Sequence, residues 1–312
     1  MPPFAFVFPG QGSQSIGMLD AWGDHPAVMA VLAEAAAVLG EDLGRLMHEG
    51  PKEALELTTN TQPVMLVAAL ACYRAWRAEG GVEPAAVAGH SLGEYSALVV
   101  AEALTLADAL PLVRLRAQAM QQAVPVGAGA MAAVLGLDAA VVAAGCAEVA
   151  ASSGQAVAPA NFNDPKQTVI AGTKAGVDLA CEKLKGLGAK RALLLAVSAP
   201  FHSPLMKPAA EVLRERLARV RILAPRIPVV NNIDVAVQTA PDAIRDALYR
   251  QAFGPVRWVE VTQALRARGL QHIFECGPGR VLAGLVKRTD AEIVTASVFD
   301  PVSLVQAQGL LA

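Results

Sequence analysis

The sequence predicts an α/β fold: a large body built on a mostly parallel sheet, with a small β-α-β-β-α-β unit inserted into it. Three observations lead there. Short apolar runs alternate with longer segments of helical periodicity, the pattern of a sheet covered by helices on both faces. One central stretch departs from that alternation by setting two strand-like runs side by side between two helical ones. And 312 residues, 54% hydrophobic and 17% charged, give enough apolar surface for a large core with a second domain inserted.

Taken in order, Phe4–Phe8 reads as the first strand and runs into the polar turn Pro9-Gly10-Gln11-Gly12-Ser13-Gln14. Val64–Tyr73 is the longest apolar run, but it ends at Arg74 and is too short to cross a bilayer. Ala85–Ala88 reads as a strand and Leu92–Val100 as the helix after it. Leu112–Ala123 has helical periodicity. Pro111 either opens that helix at its first position or kinks a longer one starting after the capping-like Thr105-x-x-Asp108.

The inserted unit reads as strand Met131–Leu137, helix Asp138–Ala151, strands Ala156–Asn161 and Gln167–Ala171, helix Thr173–Leu187 and strand Arg191–Val197. Asn163-Asp164-Pro165 supplies the turn of its central hairpin. Punctuating runs at Pro125–Gly129 and Ser198–Pro200 bound it, so the insert is expected at 127–197 and the body at 1–126 plus 198–312.

A net charge of −2 argues against non-specific nucleic-acid binding. The N-terminus has no basic segment before an apolar core, so no secretory signal is expected. Cys72, Cys146, Cys181 and Cys276 lie far apart without metal-ligand spacing and read as small apolar fillers in a reducing compartment. A cytoplasmic protein without a metal is the expectation.

Chemistry concentrates at Gly89-His90-Ser91-Leu92-Gly93. A Gly-x-Ser-x-Gly turn between strand and helix forces the serine into a strained, exposed position, with the helix N-terminus aimed at any oxyanion formed there. Ser91 is the candidate nucleophile, against an ordinary serine in a glycine-rich turn. A serine hydroxyl needs an adjacent base. Among five histidines, His25 and His48 read as surface residues at helix ends, His272 as a core-edge residue, and His90 as structural. His202 lies between Pro200 and Pro204, in a loop restricted enough to hold a base in one orientation, and is the candidate; the alternative is a polar loop histidine. No carboxylate stands out as a third member, so either a distant acid or a backbone carbonyl would orient the ring.

Arg116 is out of place. At about 100° per residue, Leu112, Val113, Leu115, Ala117, Ala119, Met120 and Ala123 share one helix face, and Arg116 falls in the middle of it. A guanidinium there requires an anionic partner or a wet cavity: an internal salt bridge, a snorkelling side chain, or a substrate carboxylate held bidentately. The turn after Phe8 leaves a strand end, where a second oxyanion donor arises in such sites; the backbone N–H of Gln11 would pair with that of Leu92.

These segments together resemble the bacterial malonyl-CoA:acyl carrier protein transacylases over essentially the whole chain. The likeness runs through Phe8–Gln14, Gly89–Leu98, Leu115-Arg116 with Met120-Gln121, Val169–Gly172, Phe201–Met206, Pro228–Asn232 and Glu275–Gly279. It implies an α/β-hydrolase-like body with a ferredoxin-like insert, Ser91 as acyl-accepting nucleophile and His202 as base. It also implies oxyanion donors at Gln11 and Leu92, Arg116 pairing with the malonyl carboxylate, and a Gln251 carbonyl orienting the histidine. Its implied partners are malonyl-CoA and acyl carrier protein, with no cofactor, no nucleic acid and no membrane, and with a monomer as the default. Phe201 departs from the smaller residue of some bacterial relatives and leans towards rejecting branched extenders such as methylmalonyl.

The expected activity is ping-pong malonyl transfer for fatty-acid synthesis. The alternatives are an acyltransferase of a polyketide pathway, a serine hydrolase or thioesterase, and a carrier-binding subunit without catalysis. Lys183, Lys185, Lys190, Arg191, Lys287 and Arg288 are candidates for docking an acidic carrier, against a simple solvated charged face.

Overall fold

Phe4–Phe8 is apolar at every position and buried at every position, as a strand covered on both faces must be. In the computed structural model, which describes residues 1–312, it forms β1. The strands that follow are β2 (Ala86–Gly89), β3 (Gly129–Leu135), β4 (Val157–Asp164), β5 (Gln167–Thr173), β6 (Arg191–Leu194), β7 (Val229–Val230), β8 (His272–Cys276) and β9 (Val294–Val298). They build two sheets. One has the order β7-β2-β1-β8-β9, parallel throughout, with β1 at its centre.

Strand alternation divides β1 between two cores. Phe4, Phe6 and Phe8 face the long helix Thr58–Ala78, where the Phe6 and Trp76 ring centroids lie 5.2 Å apart, edge to face. Ala5 and Val7 face the opposite core with Val256, Trp258 and Ile273. The run Val64–Tyr73 is thus a buried core helix, and no helix is long and apolar enough to cross a membrane.

The second sheet has the order β4-β5-β3-β6 and is antiparallel throughout. All its strands, with the helices Ala139–Ser153 and Lys174–Gly186, come from residues 129–194. The helices cover one face through Val142, Cys146, Val177 and Leu184. The other face, with Met131, Ala160, Val169 and Ala171, turns towards Val197 and Phe201. Two backbone bonds, Phe162 N–H to Val256 O and Val256 N–H to Ala160 O, both 2.9 Å, tie β4 to the larger sheet's side of the molecule.

Three local expectations shift. The hairpin turn falls at Pro165-Lys166, because β4 continues through Asp164, whose Oδ1 accepts the Lys166 N–H at 2.9 Å. β3 stops at Leu135, where Gly136 takes a φ of 95°. β6 ends at Leu194 rather than Val197, and the chain beyond it turns into a cavity between the sheets. Pro111 lies inside a single helix, Leu106–Gln122, whose start is fixed by Thr105 Oγ1 accepting the Asp108 N–H at 3.0 Å.

Close packing, rather than turn geometry alone, dictates the glycines around Ser91. A Cβ on Gly93 would sit 2.0 Å from Phe8 O, and one on Gly89 would sit 1.9 Å from the Gly93 carbonyl. Backbone cannot yield there as a side chain can. Gly93→Ala should therefore lower the urea midpoint by the equivalent of about 3 kcal/mol. Gly186→Ala, with open space at its Cβ, should leave it unchanged or raise it by up to about 1 kcal/mol. Equal midpoints for the two variants would contradict this packing account.

Candidate active site

Gly89 ends β2 and the helix Gly93–Val100 begins four residues later. Between them Ser91 has a φ of 53°, in the left-handed region that costs an L residue about 1–2 kcal/mol. Asn232, just after β7, holds the turn in that state. Its Oδ1 accepts the Ser91 N–H at 2.7 Å and its Nδ2 donates to Gly89 O at 2.7 Å.

His202 meets the serine from the proline-bracketed loop. Its own φ is 58°, and the turn is closed by Ser203 Oγ donating to Pro200 O at 2.7 Å. His202 Nε2 lies 2.6 Å from Ser91 Oγ. The other ring nitrogen, Nδ1, faces two carbonyls, Gln251 O at 3.0 Å and Gly254 O at 3.2 Å. Carbonyls only accept, so this network assigns the proton to Nδ1 and leaves Nε2 to accept from the serine hydroxyl. No carboxylate touches the ring. Burial, reinforced by the nearby Arg116 charge, pushes His202 down to about 3.

Arg116 is 2% exposed. It donates from Nη1 to Gln62 Oε1 at 2.5 Å, and from Nη2 to Gln251 Oε1 at 3.2 Å and Ser91 Oγ at 3.3 Å. Its Nε–H is buried without a partner, and the guanidinium sits 5.6 Å from the centre of the Tyr95 ring. Burial lowers its pKa. No internal salt bridge forms and the side chain does not snorkel, so two of the three sequence alternatives for Arg116 fall away.

The site opens into a cavity of about 180 Å³ between the two sheets. Gln11, Ser91, Leu92, Arg116 and His202 line it from the body, while Met131, Asn161, Asn163 and Val169 line it from the antiparallel sheet and Val197 and Phe201 from the segment after it. The backbone N–H groups of Gln11 and Leu92 are engaged by no other backbone carbonyl. His90 points away from the hydroxyl, its Nε2 2.8 Å from Asn163 Oδ1 and its ring against Trp258.

Sequence reasoning missed Asn232, Gln62, Thr58 and Glu94. Gln62 Nε2 donates to Thr58 Oγ1 at 3.1 Å, and Thr58 donates in turn to Gln11 Oε1 at 2.8 Å, joining the arginine to the loop after β1. Glu94 had a visible signal: it is a carboxylate in Gly93–Val100, a helix buried at every position. Burial pushes it up to about 7.

Other residues separate cleanly from the site. His25 caps the helix Pro26–Leu39, His48 faces Asp20, and all four cysteines are buried and unpaired. Among the basic candidates, Lys183 pairs with Glu148, Arg288 with Asp164, and Lys287 donates to two carbonyls. Only Lys185, Lys190 and Arg191 are left as exposed cations without such partners. No group of three or more His, Cys, Asp and Glu side chains is placed to hold a metal ion.

Ser91 stands on a strand-to-helix turn, His202 meets it from a second loop and a buried cation lies beside both; residues 5–305 match the acyl transferase domain family, which makes the chain an acyltransferase. The chain belongs, more narrowly, to the malonyl CoA-acyl carrier protein transacylase family. It is 51% identical over 308 residues to the malonyl CoA-acyl carrier protein transacylase of Escherichia coli K12, covering 98% of this chain and 99% of that one. The Bacillus subtilis transacylase is 46% identical over 302 residues, with 96% and 95% covered. Among solved structures, an acyl-carrier-protein S-malonyltransferase from Burkholderia pseudomallei superposes with a TM-score of 0.96 at 62% identity, covering 98% and 99%. A malonyl-transacylase in complex with a type II PKS acyl-carrier protein gives 0.96 at 48% identity, covering 99% of each chain.

The histidine geometry has a direct readout. By NMR, His202 should show no titration between pH 5 and 8, while His48, raised by Asp20, should titrate above its ordinary value of 6.5. The same depression makes the unfolded chain bind one more proton than the folded chain between pH 6.5 and about 3. This contribution to stability is therefore present above pH 6.5 and lost as pH falls towards 3. A His202 midpoint near 6.5 would contradict the buried, neutral imidazole.

Proposed function

We propose that this protein transfers the malonyl group of malonyl-CoA to the phosphopantetheine thiol of acyl carrier protein, for fatty-acid synthesis, through a malonyl ester on Ser91. The observation that carries the reading is the convergence of His202 Nε2 and Arg116 Nη2 on one oxygen, Ser91 Oγ, at 2.6 and 3.3 Å. A base and a fixed cation at the same nucleophile suit an acyl group that carries its own carboxylate.

In the first half-reaction Ser91 Oγ attacks the thioester carbonyl carbon and its proton passes to His202 Nε2. The backbone N–H groups of Gln11 and Leu92 receive the developing oxyanion, and the C–S bond breaks as His202 returns the proton to the coenzyme A sulfur. In the second, the carrier thiol gives its proton to His202 and attacks the ester, and Ser91 Oγ leaves reprotonated. Throughout, Gln251 O holds the Nδ1–H and so the ring's orientation. The chemistry calls on no metal and no other cofactor, because the thiol is itself a competent leaving group and the acyl group is passed between protein and substrate.

Arg116 supplies selectivity. The malonyl carboxylate takes the guanidinium donors that otherwise face Ser91 Oγ and Gln251 Oε1. Burial is the larger cause of the His202 depression, but the carboxylate also offsets the part due to the Arg116 charge, so the base strengthens when the charged acyl group is seated. In this reading residues 1–126 and 198–312 form the acyltransferase body, α/β-hydrolase-like in holding Ser91 on its strand-to-helix turn. Residues 127–197 form a ferredoxin-like insert that walls the cleft, with Phe201 crowding the space a branched extender would need. The protein acts in the cytoplasm as a monomer, with malonyl-CoA and acyl carrier protein as its partners.

Mixed with malonyl-CoA alone and quenched in acid, the protein should gain one malonyl mass on the peptide containing Ser91, discharged by acyl carrier protein. Ser91→Ala should gain none, and repeated release of free malonate would instead identify a thioesterase. Arg116→Ala should lower kcat/KM for malonyl-CoA by about 10²–10⁴-fold, the loss of a buried charge pairing worth about 3–5 kcal/mol. Its malonyl-over-acetyl preference should collapse; an unchanged preference would remove Arg116 from the carboxylate site.

A further inference from the structure

Among the buried ionisable side chains that the mechanism leaves unused, Glu94 is hydrogen-bonded to residues that touch the reacting pair. It is 2% exposed and lies in the first turn of the helix that follows Ser91. Its Oε2 accepts two hydrogen bonds, from the Asn232 N–H at 2.9 Å and from Gln251 Nε2 at 3.0 Å. Each donor belongs to a residue that touches the reacting pair. Asn232 grips the Ser91 turn through the Ser91 N–H and Gly89 O, both at 2.7 Å. Gln251 grips it from the other side, Nε2 to Ser91 O at 3.0 Å, and its own carbonyl holds His202 Nδ1 at 3.0 Å.

We propose that Glu94 is a positioning residue: one carboxylate oxygen pins Asn232 and Gln251 together, and so fixes the alignment of Ser91 with His202. The inference rests on the reading of Ser91 and His202 as nucleophile and base. Three physical points support it. Ser91 and His202 both sit at positive φ, a state that survives only where surrounding contacts over-determine it. Asn232 and Gln251, which make such contacts to Ser91 and His202, are joined behind the turn by a single atom, Glu94 Oε2.

The Gln251 amide has two possible orientations, and an acceptor at Glu94 selects the one that presents Nε2 to Ser91 O and Oε1 to Arg116. Finally, a carboxyl group held in a wholly buried helix turn is costly unless its geometry is used. What the site needs from Glu94 is an acceptor at a fixed reach; the full negative charge is dispensable, since burial already pushes the group up to about 7.

Three substitutions separate reach from charge. Glu94→Ala removes the acceptor, Glu94→Asp keeps the charge but withdraws it by one methylene, and Glu94→Gln keeps an oxygen at the same reach without the charge. The rate of Ser91 acylation by malonyl-CoA would be followed by quench and intact mass, with urea unfolding of each variant. Glu94→Ala and Glu94→Asp should acylate about 10²-fold more slowly, the scale of a misaligned reacting pair, with KM for malonyl-CoA within about threefold of the parent. Glu94→Gln should recover most of that loss.

A folded Glu94→Gln as slow as Glu94→Ala would overturn the proposal in favour of a role for the charge. So would an effect confined to KM, or a Glu94→Ala protein that acylates at the parent rate. Should Glu94→Ala fail to fold, the order of Gln over Asp decides alone. Ser91→Ala, run alongside, keeps the two readings apart: a malonyl adduct on that variant would sink the nucleophile assignment, whatever the Glu94 series gives.

Discussion

One constraint organises the centre of this molecule: a guanidinium that cannot lose its proton is buried within hydrogen-bond reach of a serine hydroxyl. No carboxylate pairs with it. Its neighbours are instead neutral or made neutral. Gln62 and Gln251 offer amide oxygens, Tyr95 offers a ring face, and the imidazole of His202 is driven towards its uncharged form by the same burial and the same charge. An arginine so placed is over-supplied with donors and short of a strong acceptor, as its unpartnered Nε–H records. In the proposed function a malonyl carboxylate supplies that acceptor, and an uncharged acyl group would not.

The second constraint is strain. Ser91 and His202 both occupy the left-handed region; distant side chains hold the first, while the Gln251 and Gly254 carbonyls and the Ser203 turn hold the second. Asn232 reaches the serine turn from a position 141 residues away, and Gln251 from 160. The two glycines beside Ser91 matter through packing, since they let β1, β2 and the helix after the nucleophile approach within backbone contact. Stability invested in the central parallel sheet and its aromatic face thus appears at the site as a serine that cannot relax to an ordinary conformation.

How much of this was legible depends on how local each signal was. The strand Phe4–Phe8, the serine turn, each single element within 129–194 and the misplaced Arg116 rest on patterns spanning fewer than about twenty residues, and sequence periodicity reads those well. Element ends were less legible: the hairpin slid past Asp164 because a side-chain bond to Lys166 and an ion pair to Arg288 stabilise the longer strand, and neither partner is visible locally. Gln62 and Asn232 were not legible from spacing, and Glu94 showed only as a carboxylate in an apolar helix, because the three converge from separate chain regions that only the assembled sheets bring together. The carbonyl acceptor for His202 is a backbone atom and carries no residue-type signal whatever; only the family likeness pointed to Gln251.

The cleft's two walls make different contributions, and the difference follows from how they are attached. The body side carries every group that touches the reacting serine, fixed by the parallel sheet beneath it. The antiparallel sheet contributes mainly apolar and amide surface, and it is fastened to the body along β4, through the Val256 bonds, the His90–Asn163 contact and the Arg288–Asp164 pair. Its far edge, β6, has no such tie, and Leu193 and Leu194 there are about half exposed. The wall is thus pinned at one edge and untied at the other, and the charge and hydrogen-bond balance at Ser91 is set by the body side alone. In the proposed reaction the same kind of thiol, at the end of a pantetheine arm, arrives on two different carriers, coenzyme A and a protein, and one site serves both in turn.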